Sequence, residues 1–376
     1  MPDGPAELPD DFVKPAVAGL TPYEPGKPVE EVQRELGLDR VVKLASNEGP
    51  FPPFPAALEA MERSVRELNR YPDGGAYRLR VALAERHGVA FEEVAVGAGA
   101  DGLIDCVSQA FLDVGDEIVC GWPSFPSYVI DAQKLGATPL RVPLASARYD
   151  LEAMLAAITP RTKVVYVCHP NNPTGTTNTR AELDAYFERV PGHVLTVLDQ
   201  AYFEYIDDVD YPDGINEYFR QGHRVLVVRT FSKIYGLAGL RIGWGVGSRS
   251  VVSAIAKVRR AFDLNAQGQV AAVASLDDRH EVERRRRVNA QERPRVVEIL
   301  ERHGFGCRPA VANFVYAESG EEDARPLFEA LLRAGVIVRP LQGFGAPSAI
   351  RVTVGSPEDN AALDEALGRV RAAVKA

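Results

Sequence analysis

From residue 56 to residue 247 the chain alternates between stretches of helical period and short apolar runs. The helical stretches fall at 56–68, 77–87, 103–112, 127–135, 151–158 and 181–189. The apolar runs fall at 93–96, 117–120, 140–143, 163–168, 194–198, 225–228 and 242–246. Short apolar runs that alternate with amphipathic helices are strands of a parallel sheet, covered on both faces by the helices that connect them. The pattern predicts an α/β fold, a mostly parallel sheet sandwiched by helices. Such sheets bind ligands at the carboxyl ends of their strands.

Beyond residue 248 the rhythm changes. Long helical stretches run from 251 to about 302, short strands follow at 312–315, 336–339 and 349–354, and a last helix covers 358–374. This reads as a smaller α+β domain. A chain of 376 residues is too long for one ordinary core. The expected division is an arm at 1–40 that also joins the small domain, a large domain at 41–265 and a small domain at 266–376. Residues 1–30, rich in Pro, Gly and acid, read as an extended arm with a short helix.

The balance of charge excludes some partners. The formal net charge is −9, which argues against nucleic acid or an anionic membrane surface. Any anion must be gathered by local positive groups. Arg284 to Arg287 form a basic run, but Glu281, Glu283 and Glu292 flank it, so it reads as a solvated helix face. The cysteines, Cys106, Cys120, Cys168 and Cys307, lack CxxC spacing and read as free thiols of a reducing compartment; no metal set is expected. No apolar stretch approaches the ~20 residues of a membrane helix, and the first residues lack a signal-peptide pattern. A cytoplasmic location is expected.

Chemistry-bearing residues follow the strands. The run 225–228 leads through Arg229-Thr230-Phe231 to Ser232-Lys233, and Arg241 lies eight positions past the lysine. Lysine is the residue that forms Schiff bases with aldehyde cofactors, and arginine meets phosphate bidentately. Gly97-Ala98-Gly99-Ala100-Asp101-Gly102 follows a strand and opens a helix. Its small residues let backbone N–H groups face a phosphate; a tight packing turn is the alternative. A nicotinamide enzyme would also need an acid at the end of the next strand, where Gly121-Trp122 stands. Phe125, in Trp122-Pro123-Ser124-Phe125, is placed to stack on a planar ring or to fill the rim. His169-Pro170-Asn171-Asn172-Pro173-Thr174-Gly175 is a rigid turn that presents the Asn172 amide as a donor. Asp199 ends an all-apolar strand, where an acid is costly unless something positive meets it. A protonated ring nitrogen would; capping the next element is the alternative. Tyr202 stands three residues on. Arg339 and Arg351 sit in the later strands, converging on an anionic group or pointing outward to solvent.

The order Gly99-Ala100, Phe125, Asn172, Asp199, Tyr202, Ser232-Lys233, Arg241, Arg351 resembles the fold type I pyridoxal-phosphate aminotransferases. Pro22 to Pro28 (PYEPGKP), Lys43 to Glu48 (KLASNE) and Arg70-Tyr71-Pro72-Asp73 narrow the resemblance to the histidinol-phosphate aminotransferases. The resemblance implies pyridoxal 5'-phosphate as cofactor, with Lys233 as its catalytic lysine. It implies that Gly99, Ala100 and Asp101, with Ser232 and Arg241, hold the cofactor phosphate. Phe125 would stack on the ring, Asn172 and Tyr202 would bind its hydroxyl, and Asp199 its nitrogen. Tyr71 would reach the cofactor phosphate of a partner subunit, which implies a homodimer. Tyr23, Asn47, Arg339 and Arg351 would line the substrate site. The implied reaction moves an amino group between histidinol phosphate and 2-oxoglutarate, in histidine biosynthesis. Aromatic amino-acid aminotransferases share the scaffold and remain an alternative, a nicotinamide dehydrogenase a remote one, and a non-catalytic cofactor-binding regulator would need a basic DNA-binding module that is absent from the sequence. Two departures stand out: Gln200 where the family has Glu after the Asp, and Gly49 where it commonly has Asn.

Overall fold

The computed structural model describes residue 9 and residues 12–20 and 26–375. Its thirteen described strands are β1 (Val42–Lys43), β2 (Val94–Ala98), β3 (Glu117–Trp122), β4 (Thr138–Pro143), β5 (Thr162–Cys168), β6 (Leu195–Asp199), β7 (Val225–Thr230), β8 (Ile242–Gly247), β9 (Gly306–Cys307), β10 (Phe314–Glu318), β11 (Val336–Ile337), β12 (Arg339–Pro340) and β13 (Ala349–Thr353). Seven form one sheet in the order β2-β8-β7-β6-β5-β3-β4. Its pairings are parallel except where β8 inserts antiparallel between β2 and β7. This is the expected α/β architecture. Val164 to Val167 in β5 and Val225 to Val228 in β7 are buried throughout, as strands with helices on both faces must be.

The helices lie where the periodicity put them: Pro55–Ser64, Tyr77–His87, Gly99–Phe111, Ser127–Lys134, Leu151–Ala156 and Arg180–Arg189. Their starts are chemically marked. Asp150 caps Ala153 N–H, and Thr179 and Glu182 form a capping box, an exchange that satisfies two of the donors left open at a helix start. Helix Gly99–Phe111 begins four residues earlier than its period suggests, because Gly-Ala-Asp-Gly carries little helical signal of its own.

A second core gathers around the smaller sheet, ordered β12-β13-β10-β9. The expected boundaries shift at both ends. β1 pairs in parallel with β11, and Val42 and Leu44 pack in the second core. Helix Ala266–Leu276 buries Ala271, Ala272 and Leu276 in the first. Period marks a helix but not the sheet that receives its apolar face.

The basic run also differs from expectation. Helix Arg279–Arg302 exposes Arg287 and leaves Arg284 and Arg286 half-buried, and Arg285 is only 4% exposed. Its guanidinium pairs with Glu281, donates to the carbonyls of Ile234 and Pro52, and lies over the Phe54 ring. It joins the long helix to the lysine-bearing turn after β7. Cys106, Cys120 and Cys168 are buried and all four cysteines are free thiols. Among the described residues no helix is long and apolar enough to cross a membrane.

Candidate active site

The strand ends open into a cavity of about 460 Å³. Most of the residues singled out above line it: Ala100, Asp101, Phe125, Asn172, Asp199, Tyr202, Ser232, Lys233, Arg241, Asn47, Arg339 and Arg351. Gly99 lies just behind, against Arg241. Tyr71 does not enter the cavity; it is 82% exposed and stacks on Phe262. Tyr23 lies outside the described residues.

One end of the cavity is built for an anion. β2 passes into helix Gly99–Phe111 through Gly99, whose φ is +80°. A Cβ there would sit 2.8 Å from the Arg241 guanidinium. A Cβ on Gly243 of β8 would sit 2.2 Å from the Gly99 carbonyl carbon. The two glycines let β8 press directly on the turn, which pins the helix N-terminus at the cavity wall. First-turn N–H groups have no partner within a helix and favour negative charge. Ser232 and Arg241 line the same wall. Ser232 Oγ accepts from Thr230 at 3.0 Å, so its own proton remains to be donated.

The cavity floor carries a buried carboxylate. Asp199 is 4% exposed, accepts from the Tyr128 hydroxyl at 2.6 Å and from Ala201 N–H at 3.0 Å. The second bond closes a local turn at the strand end; the next short helix, Phe203–Tyr205, has no side-chain cap. Burial pushes its pKa up, while those two bonds and the Lys233 charge oppose the rise. No salt bridge among the described residues reaches it, so a cationic N–H placed against it would relieve a buried charge. Phe125 meets Tyr128 edge-on at 5.6 Å, and Tyr128 stacks on Tyr166 at 4.4 Å, which gives the site an aromatic wall.

Lys233 follows the carboxyl end of β7. Its Nζ donates to the Ser46 carbonyl at 3.4 Å and lies 5.5 Å from the Tyr202 ring centroid. Its pKa is pulled from the usual 10.5 to about 7, first by burial and then by the Arg351 and Arg241 charges, against Glu48 and Asp199. An amine near neutrality is partly unprotonated at physiological pH, which suits it as nucleophile and as base.

Across the cavity two arginines stand side by side. Arg339 of β12 is the register partner of Arg351 of β13, and both are buried, which removes the outward reading. Arg351 donates to Asn172 Oδ1 and to the Ala45 carbonyl. The oxygen of Asn172 is thereby engaged, and its NH₂ is the end left to donate. Tyr202 OH accepts from Asn47 Nδ2 at 2.9 Å, and Asn47 is fixed by Thr353 and Asn313.

Sequence reasoning missed Tyr128, Thr230, and the Ala45 and Ser46 carbonyls. Tyr128 sits in the first turn of the helix that starts two residues after Phe125, where no helical spacing links the two; backbone acceptors leave no mark in side-chain pattern. The two departures lie outside the cavity lining. Gln200 faces the opposite side of the strand end, donating to the Pro212 carbonyl and accepting from Gly214 N–H and Arg229. Gly49 has room beside it, the nearest atom to an added Cβ being Tyr205 OH at 3.5 Å.

An anion cradle, an aromatic wall, a buried acid without a paired cation and an amine of pKa about 7, all at the strand ends of this sheet, define a pyridoxal-phosphate enzyme of fold type I. Residues 39–370 match the family described as aminotransferase class I and II. The chain is 43% identical over 358 residues, 95% of its length and 92% of the other, to histidinol-phosphate aminotransferase of Moorella thermoacetica. It is 44% identical over 360 residues, 96% of its length and 99% of the other, to the protein of that name from Anaeromyxobacter. The crystal structure of histidinol-phosphate aminotransferase from Sinorhizobium meliloti with pyridoxal 5'-phosphate superposes with a TM-score of 0.86 at 27% identity, over 97% of this chain and 98% of that one. The chain therefore belongs to the class I and II aminotransferases and is a pyridoxal-phosphate-dependent aminotransferase. The nicotinamide alternative lapses with that membership.

Proposed function

We propose that this aminotransferase takes its amino group from histidinol phosphate and passes it to 2-oxoglutarate, yielding imidazole-acetol phosphate and glutamate in histidine biosynthesis. The observation that carries this reading is the adjacent, buried pair Arg339 and Arg351 on the wall opposite Lys233. Two fixed guanidiniums suit a substrate with a doubly charged end, and relatives that share over 40% of the sequence bear that substrate's name.

When bound, pyridoxal phosphate supplies an aldehyde that takes up the amino group and a ring that draws electrons from the substrate Cα. Backbone N–H groups at Gly99, Ala100 and Asp101, with Ser232 and Arg241, would hold its phosphate, and Phe125 would cover the ring. Asn172 and Tyr202 would donate to the ring oxygen, Tyr202 being oriented by Asn47. Asp199 would hold a proton on the ring nitrogen. Lys233 Nζ would take the proton from Cα and later return it, as base and then acid. Arg339 and Arg351, with Asn47 and Tyr23, would bind the substrate. The exposed Tyr71 would serve the cofactor phosphate of the partner subunit in a cytoplasmic homodimer. Steady-state kinetics with histidinol phosphate and with phenylalanine test the assignment. A preference for phenylalanine by orders of magnitude would replace it with an aromatic aminotransferase.

A further inference from the structure

The face of the large sheet opposite the cavity carries a buried polar network. Thr230 of β7 lines the cavity, so its neighbour Arg229 projects from the other face. Arg229 is 2% exposed. One of its terminal nitrogens donates to Gln200 Oε1 at 3.0 Å and to Asp213 Oδ1 at 2.7 Å, and the guanidinium lies over the Phe203 ring at 3.4 Å. Gln200 donates in turn to the Pro212 carbonyl at 2.8 Å and accepts from Gly214 N–H at 3.2 Å. Tyr211 stacks on His169 at 4.6 Å between ring centroids, and its hydroxyl donates to the His169 carbonyl.

Residues 211–214 thus touch the ends of β5, β6 and β7, which are neighbours in the sheet. Each point of contact adjoins the site. His169 follows β5 and leads to Asn172, Gln200 follows Asp199, and Arg229 precedes Thr230 on the way to Lys233. The backbone ladder gives out at this same level. β5 and β6 pair last at Cys168 and Asp199, and β6 and β7 pair last at Asp199 and Val228. One further bond follows on each side, His169 N–H to the Asp199 carbonyl and Gln200 N–H to the Val228 carbonyl, both 2.8 Å. Beyond them strand twist carries the chains apart, and the side-chain bonds of Gln200 and Arg229 bridge the gap. Asp213 supplies the acid for Arg229, so residue 200 can be neutral and serve as donor and acceptor at once. Networks of this kind hold the segments they join in one arrangement.

We propose that residues 211–214 are a tie beneath the cavity floor, and that Gln200 and Arg229 are positioning residues which hold the Asp199 carboxylate and the Lys233 amine at the spacing that proton transfer needs. Both act from the far face of the sheet, through the backbone of the residues beside them. A displacement of about 1 Å at a reacting group costs about a hundredfold in rate, so a tie of this kind has kinetic weight. The inference rests on the aminotransferase activity and is independent of which amino donor is physiological.

The test compares the cofactor-loaded enzyme with its Gln200→Met, Arg229→Lys and Tyr211→Phe forms, using whichever of histidinol phosphate and phenylalanine the unsubstituted enzyme turns over faster. Gln200→Met keeps length and charge and removes the bonds to Pro212, Gly214 and Arg229. Arg229→Lys keeps the charge and loses the planar group over Phe203. Each lowers kcat about ten- to a hundredfold and leaves KM within about threefold, the mark of a contribution to the transition state alone. Amide hydrogen exchange of the full chain, with and without cofactor, is the second readout. It quickens about tenfold or more at residues 199–201 and 229–233 and is unchanged in helix Gly99–Phe111. Tyr211→Phe keeps the ring on His169 and removes one hydroxyl, a mild change that folds even if the other two do not; its faster exchange falls at residues 169–172, with a smaller loss of kcat. A loss of urea stability with kcat unchanged, or faster exchange spread evenly over the sheet, overturns the proposal and leaves the network a brace of the fold alone.

Discussion

Replacing Lys233 with methionine isolates the energetic strain of holding an amine in this cavity. The Lys233 pKa falls from 10.5 to about 7, a gap of about 3.5 pH units, and at about 1.36 kcal/mol per unit this is a ceiling of about 5 kcal/mol. Lys233 keeps partial exposure, so solvent screening reduces the figure to about half. The sign follows from linkage. A depressed pKa means that the folded cofactor-free protein binds fewer protons than the unfolded chain between about pH 7 and 10.5, so stability rises with pH across that window. Below pH 7 both states are protonated and the whole penalty is present; above 10.5 it is gone. Lys233→Met, of similar length and without charge, has no such term. Urea unfolding of the two cofactor-free proteins at pH 6 and pH 8.5 measures the difference. Methionine stabilises by a few kcal/mol at pH 6, and its advantage shrinks by about 1 to 2 kcal/mol at pH 8.5. An advantage that is flat across that range would refute the account of Lys233 as a desolvated cation.

Four further outcomes are expected. Asp199→Asn lowers kcat roughly a hundredfold or more in steady-state assays, while the cofactor-free protein loses no stability in urea because a buried carboxylate has been removed. Tyr128→Phe leaves Asp199 short of a donor, at a cost of about 1–3 kcal/mol in urea unfolding; since that bond lowers the Asp199 pKa, the acid limb of the rate profile moves to higher pH. Gly243→Ala drives a methyl into the Gly99 backbone, costing about 1–3 kcal/mol and weakening cofactor affinity in an absorbance titration. Gln200→Glu adds a buried carboxylate beside Asp213, which already pairs with Arg229 at 2.7 Å, and near Glu204, whose pKa burial has raised to about 7; the variant is less stable at pH 8, and Asp213→Asn restores it.

The sheet was legible because strands buried on both faces leave unbroken apolar runs, and the site was legible because polar residues that follow such runs stand out. Asp199 ends β6, Lys233 stands three residues past the end of β7 and Asn172 four past the end of β5. What escaped depends on contacts between distant segments. The antiparallel insertion of β8 is a matter of chain direction, which composition does not encode. Gly243 reads as an ordinary strand glycine until Gly99 is seen against it. Arg285 carries the same flanking acids as its neighbours, and the Pro52 and Ile234 carbonyls opposite make it a fixed strut.

The charges of the site also act on one another in a way that no single residue reveals. Arg351 is the strongest charge lowering the Lys233 pKa, and Glu48 and Asp199 oppose it. The same guanidinium donates to Asn172 Oδ1 and to the Ala45 carbonyl, which fix it at the cavity wall. An anionic substrate that meets Arg351 screens that charge and raises the affinity of Lys233 for a proton. With Arg351 in the substrate-binding role proposed for it, the charge that lowers the Lys233 pKa would be partly neutralised when the anion binds. On that proposal binding and proton transfer would be coupled through one side chain, and a lysine at that position would lose the fixed geometry on which the coupling depends.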